Sequence, residues 1–238
     1  MKTTLRKGVA MLELIFSIVV MGIVLMSAPM LMSTAAKSGY VGLQQEGINE
    51  ASTMINMIMS YHWDENNTDP SYIDNLLIVT NGEDELDQAG TTKRRIGTPK
   101  ESSRAFARED GTDDLTASPS TSFGEGKDNG TTETENDDID DFDDTTVTLT
   151  AAAAGVDYAD TIQIATEINY IDDDTDYDTS NISFSPDFAG IAANLTSNIK
   201  HIQVTLTSTS GVEELDKTIV LHAFSSNIGA YNFEERDF

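Results

Sequence analysis

Residues 9–32 read VAMLELIFSIVVMGIVLMSAPMLM and contain one ionisable group, Glu13. A run of about 20 apolar residues is long enough to cross the hydrocarbon of a bilayer as a helix, so this stretch predicts a transmembrane segment. Ahead of it, residues 1–8 (MKTTLRKG) are short, polar and basic through Lys2, Arg6 and Lys7. A positive flank of this kind stays in the cytoplasm, which exports everything after the apolar run. A cleaved secretory signal peptide fits poorly, because its apolar core is shorter and the pattern here continues past it unbroken.

Glu13 needs a reason to be there. A carboxylate inside an apolar helix costs about 2.5–3.5 kcal/mol on insertion scales, and such groups have partners. No Lys or Arg lies within residues 9–32. One available cation is the α-amino group that cleavage before Val9 would create. Helix geometry separates Val9 from Glu13 by more than a turn, so the amine of its own chain reaches it poorly. A neighbouring chain, shifted along the axis, brings its amine alongside. The unpaired acid therefore points to assembly.

The stretch Lys7-Gly8-Val9-Ala10-Met11-Leu12-Glu13-Leu14 resembles the prepilin cleavage and methylation motif of type IV pilins and type II secretion pseudopilins. The resemblance implies that Gly8 ends a leader, that a prepilin peptidase cuts after it, and that Val9 becomes the methylated first residue. It also places Glu13 at the fifth mature position and makes it the assembly residue. Val9 departs from the family's commonest Phe. Gly22 and Pro29 stand where the family often has helix-loosening residues. The implied partners are other pilin or pseudopilin subunits, the prepilin peptidase, the inner-membrane assembly machinery and the lipid bilayer. The implied location is the inner membrane, single-pass, with a C-terminal head in the periplasm before incorporation into a pilus or pseudopilus.

Beyond the membrane, residues 33–62 continue the helix in amphipathic form, with Ile48, Ala51, Ile55 and Ile58 at helical spacing. Gly39, Gly42 and Gly47 weaken it by about 1 kcal/mol each relative to Ala, which favours bending or melting there. Met54, Met57 and Met59 are expected to fill core space, since thioethers alone bind metal weakly. After residues 63–67 (WDENN) the chain reads as loop. Residues 93–108 carry six Lys/Arg against Glu101, whereas residues 109–144 hold fourteen Asp/Glu against Lys127. Residues 63–144 are accordingly expected to be irregular and charge-rich, and 83–136 mostly solvated.

Order returns in residues 145–238. TTVTLT (145–150), TIQIATEINYI (161–171), HIQVTLTST (201–209) and TIVLHAF (218–224) are β-branched runs with two-residue alternation. Gly211 joins the last two as a hairpin. The expected class is α+β: a long N-terminal helix, transmembrane then amphipathic, packed on a small antiparallel sheet. That is also the pilin-like fold. WDEN (63–66), DDIDDFDD (137–144), IKHIQVTLTS (199–208) and IVLHAFSSNIG (219–229) look like minor pilins of the mannose-sensitive haemagglutinin type, and also suit pseudopilins. The disulfide common near the family's C-terminus has no counterpart, since the chain has no Cys.

Composition narrows the chemistry. The 238 residues carry 14 Lys+Arg and 41 Asp+Glu, a formal net charge of −27, which repels nucleic acid. Zero Cys excludes disulfides, thiolate zinc sites and cysteine nucleophiles. His62, His201 and His222 lack metal-ligand spacing, and no GxSxG, P-loop or HExxH motif occurs. No enzymatic activity is expected. Asp172, Asp174, Asp176 and Asp178 alternate in a way that can converge on calcium, and residues 137–144 are a second acidic cluster. Neither is an EF-hand. In 137–144, Ile139 and Phe142 can instead anchor the turn with the acids facing water. Two rival functions use the same residues: a monomeric membrane-anchored periplasmic binding module that keeps residues 1–8, and a calcium-dependent adhesin subunit.

Overall fold

The computed structural model describes residues 6–68, 75–83, 86, 95, 106, 115–125, 135–149, 162–173, 179–181, 188–208 and 217–229. The chain divides into two units, Met1–Gly47 and Ile48–Phe238.

Helix α1 runs from Arg6 to Ile58. Its apolar stretch satisfies every helical requirement locally, and Pro29 lies inside it without ending it. Two hydroxyls fold back on the helix: Ser27 Oγ donates to Val24 O at 3.0 Å and Thr34 Oγ1 to Met30 O at 2.9 Å. Their polarity is thus consumed within the helix, as an apolar surround demands. The helix also continues through Gly39, Gly42 and Gly47, where bending or melting was expected. It stops four residues earlier than expected, because Ser60 N and Tyr61 N turn tightly onto Met57 O and Ile58 O. His62 then pairs with another segment, its carbonyl accepting from Ile139 N at 2.9 Å.

The C-terminal unit is built on a four-stranded antiparallel meander, β1 (Thr146–Leu149), β2 (Ile162–Ile171), β3 (Ile199–Ser208) and β4 (Thr218–Ser226), in that order. Strand alternation decides its two faces. Ile162, Ile164, Ile168 and Tyr170 of β2 and Ile202, Val204 and Leu206 of β3 all point into one core. The last turns of α1 cover that face with Ala51, Ile55 and Ile58, each large side chain contributing about 1.5–3 kcal/mol. Met54 packs against this core, but Met57 and Met59 are 40% and 47% exposed. Only the first of the three methionines acts as the expected filler, because the other two fall on the outer side of the helix.

Among the described residues, 63–144 hold only 3-10 turns and isolated bridges, yet they contribute to the core. Trp63, Leu77, Val79, Leu115, Ala117, Ile139 and Phe142 belong to the same core. Ile78 N donates to Leu115 O and Ala117 N to Ile78 O, both at 2.8 Å, while Leu76 bridges Phe106. The WDENN loop is a 3-10 turn, Glu65–Asn67, capped by the side chain of Asp64. Isolated apolar residues in polar surroundings thus serve as core plugs. Arg95 is described from the basic island; its guanidinium donates to Leu86 O, Asn227 O and Asn198 Oδ1.

Candidate functional site

The three residues expected to carry processing and assembly, Gly8, Val9 and Glu13, lie at the start of α1. Gly8 and Val9 are helical in backbone, and Glu13 is exposed one turn on. Around Glu13 the helix carries an uncovered apolar surface: Leu12 is 72% exposed, Phe16 68% and Met26 83%. This helix is long and apolar enough to cross a membrane. A carboxylate on such a surface is left without water once lipid or protein covers it. Val9 precedes Glu13 by about 6 Å of helical rise, so the two cannot share one turn.

The acidic clusters behave differently from expectation. Asp172 is exposed at the end of β2; Asp174, Asp176 and Asp178 lie outside the described residues. Its neighbour Asp173 is buried, and its Oδ2 accepts from Asn198 N at 3.0 Å. In residues 137–144, Ile139 and Phe142 are the expected anchors, but the acids do not all face water. Asp138 and Asp140 are buried in the turn Asp140–Phe142.

What draws them inward is Lys200, a fully buried cation on the core face of β3. Its Nζ donates to Asp140 Oδ1 and Oδ2 at 2.6 and 2.8 Å, to Asp64 Oδ2 at 3.0 Å and to Trp63 O at 2.7 Å. The rings of Trp63, Tyr170 and Phe123 surround it, with centroids 4.2, 5.2 and 5.3 Å from Nζ. Aromatic faces of this kind attract a desolvated cation. Asp64 also accepts from Ser118 N at 2.9 Å, Ser118 Oγ at 3.1 Å and Asn66 N at 3.1 Å. Tyr170 Oη donates to Ser118 O at 2.8 Å and Asp64 Oδ2 at 3.3 Å.

Three carboxyls share this one ammonium. Burial pushes Asp140 well above the carboxylate range despite the attraction of Lys200. Burial likewise pushes Asp138 up to about 8. Its Oδ1 accepts from Asp140 N at 2.7 Å and Asp141 N at 3.1 Å, while its buried Oδ2 has no partner among the described residues. Burial pulls Lys200 down, but Asp140, Asp64 and Asp138 outweigh it and leave the ammonium favoured. Burial, then Asp64 and Asp140, raise the Tyr170 phenol, which stays neutral. The cluster therefore holds protons near neutral pH, since dry protein does not tolerate excess charge.

The opposite sheet face carries the second polar cluster. His201 Nε2 and His222 Nδ1 lie 2.9 Å apart, so one ring donates to the other. Phe188 stacks on His222 at 4.5 Å between centroids and lies 5.8 Å from Phe224. Its φ of 57° is left-handed, a costly conformation for a bulky side chain. Among the described residues no group of three or more His, Asp, Glu or Cys could hold a metal.

Sequence reasoning missed Lys200, Asp64 and Asp140 as a unit. Parity was the available sign: Lys200 shares the alternation of Ile202, Val204 and Leu206, which places a charge on the core face. No family model, curated protein or solved structure matches the chain. What stands is one long apolar N-terminal helix and a small antiparallel sheet, an α+β arrangement compatible with a pilin-like fold.

Proposed function

We propose that this chain is a structural subunit of a type IV pilus or type II secretion pseudopilus. It is inserted in the inner membrane, cut after Gly8 by a prepilin peptidase, and assembled through α1. The observation that carries this reading is Glu13, the one ionisable residue of the apolar stretch 9–32 and the fifth residue after Gly8. Packed among apolar helices, its carboxylate takes the α-amino group of Val9 from an adjacent subunit, a charge pair strengthened by the low dielectric around it. The periplasmic unit from Ile48 onward is then the head displayed by the filament.

The chemistry asked of the protein is assembly, and the residues serve it without a cofactor. Substituting Glu13→Ala in the full chain, expressed with its own secretion genes, tests the idea. Filaments sheared from the cells should lose the subunit, while membrane fractions retain it in cleaved form. Unchanged incorporation of the Glu13→Ala chain would contradict the pairing.

A further inference from the structure

The geometry points to an intramolecular amide between Lys200 Nζ and Asp140 Cγ, formed by the protein on itself after folding. The nitrogen lies 2.6 and 2.8 Å from the two oxygens of the carboxyl it would attack, and both side chains are buried. Holding two reacting groups in this way corresponds to an effective concentration of about 10⁵–10⁸ M. Asp64, at 3.0 Å from the same nitrogen, is a proton acceptor in place. The rings of Trp63, Phe123 and Tyr170 exclude water from the nitrogen. The ammonium is the favoured form of Lys200, so Asp64 must take a proton before the nitrogen can attack; solvent exclusion then shields the product from hydrolysis.

The step balances within the cluster. One Nζ proton passes to Asp64, the nitrogen lone pair attacks Asp140 Cγ, and an Nζ–Cγ bond forms. One Cγ–O bond of the protonated Asp140 carboxyl breaks, and that oxygen leaves as water with its own proton and one from the nitrogen, while Asp64 keeps the proton it took. The amide keeps the third nitrogen hydrogen, which Trp63 O accepts at 2.7 Å in the unreacted pair. Burial raises Asp140 well above the carboxylate range, which favours the protonated carboxyl that loses water most readily. No oxidant or cofactor is required.

The bond would join positions 60 residues apart, tying β3 to the turn Asp140–Phe142. Closing a loop of that length restricts the unfolded chain as a disulfide does, in a protein without cysteine. This inference is independent of pilus assembly.

Mass spectrometry of the full chain purified from membranes in detergent decides it. After denaturation and trypsin digestion, the wild-type chain should give one looped peptide spanning residues 128–217, uncut after Lys200 and lighter by one water than the same linear sequence. Asp64→Asn should slow linkage by about 100-fold or more, as loss of a proton acceptor does, leaving unlinked chain in freshly made protein. Lys200→Met supplies the unlinked reference mass. Two linear peptides and ordinary cleavage after Lys200 in aged wild-type protein would overturn the proposal, whether or not the variants fold.

Discussion

Tyr170 and Lys200 stand directly opposite each other on β2 and β3, and both donate to the same oxygen, Asp64 Oδ2. A cross-strand pair on the core face thus carries a phenol and a charge where the neighbouring core pair, Ile168 and Ile202, is aliphatic. The pair organises the segment between α1 and the sheet. Asp64, Ser118 and Asp140 come from three separate stretches and meet only because Lys200 and Tyr170 need partners there.

Removing one side of this cluster should be severe. Asp140→Ala leaves Lys200 a buried ammonium without its closest acceptor; loss of the buried pair alone costs about 3–5 kcal/mol, and loss of the Lys200–Asp140 bond adds to it. Replacing both, as Lys200→Met with Asp140→Leu, should cost less than the sum of the single losses. Urea unfolding followed by fluorescence of Trp63, the single tryptophan and a direct neighbour of Lys200 Nζ, measures both.

Asp138 sets a limit on the alkaline side. Burial pushes its folded pKa up to about 8 from the ordinary 3.8, so between those values the folded state binds more protons than the unfolded chain. The stabilisation is complete below the unfolded value and is lost as pH rises through about 8. Stability should fall between about pH 4 and 8, by up to about 1.4 kcal/mol per pH unit, and level off above that, as read by urea unfolding at each pH. Asp138→Asn should flatten that fall.

The histidine pair acts at the acid side with the opposite sign. Burial first, then His222, lowers the pKa of His201, with Glu167 opposing. The unfolded chain therefore takes up more protons, and the stabilisation is lost as pH falls below about 6.5. Two protonated rings 2.9 Å apart would also face each other with hydrogens alone. Thermal melts from pH 7.5 to 5 should show His201→Gln losing less stability on acidification than the wild type.

Gly124 gives a purely conformational test. Its φ is +70°, and an added Cβ would meet nothing within 4 Å. Gly124→Ala should therefore cost about 1–2 kcal/mol from backbone strain alone, read as a shift in the urea midpoint with an unchanged slope.

Periodicity made the helix and the four strands legible, because residues 9–58 and the runs after 145 repeat one pattern over many positions. Ala51, Ile55 and Ile58 occupy the core stripe their spacing implies, and β2, β3 and β4 begin and end within two residues of the β-branched runs. The core plugs were not legible in this way. Leu115, Ile139 and Phe142 are single apolar residues in polar sequence, Leu77 lies in the four-residue run Leu76–Val79, and no period links them. The Lys200 cluster was hidden for a related reason. Forty-one acids offer any lysine many partners, and only the register of β3 against β2 singles out Asp64 and Asp140. Glu13 was legible because a lone charge in an apolar run stands out against its surroundings.

The central claim rests on what happens after Gly8. Intact-mass and N-terminal sequence measurement on the chain extracted from the membranes of its own cells tests it most directly. The expected result is a mature chain that begins at Val9, with a methylated α-amino group and without Lys2, Arg6 and Lys7. A chain that still carries residues 1–8 would contradict processing and assembly, and would favour a permanent membrane anchor instead.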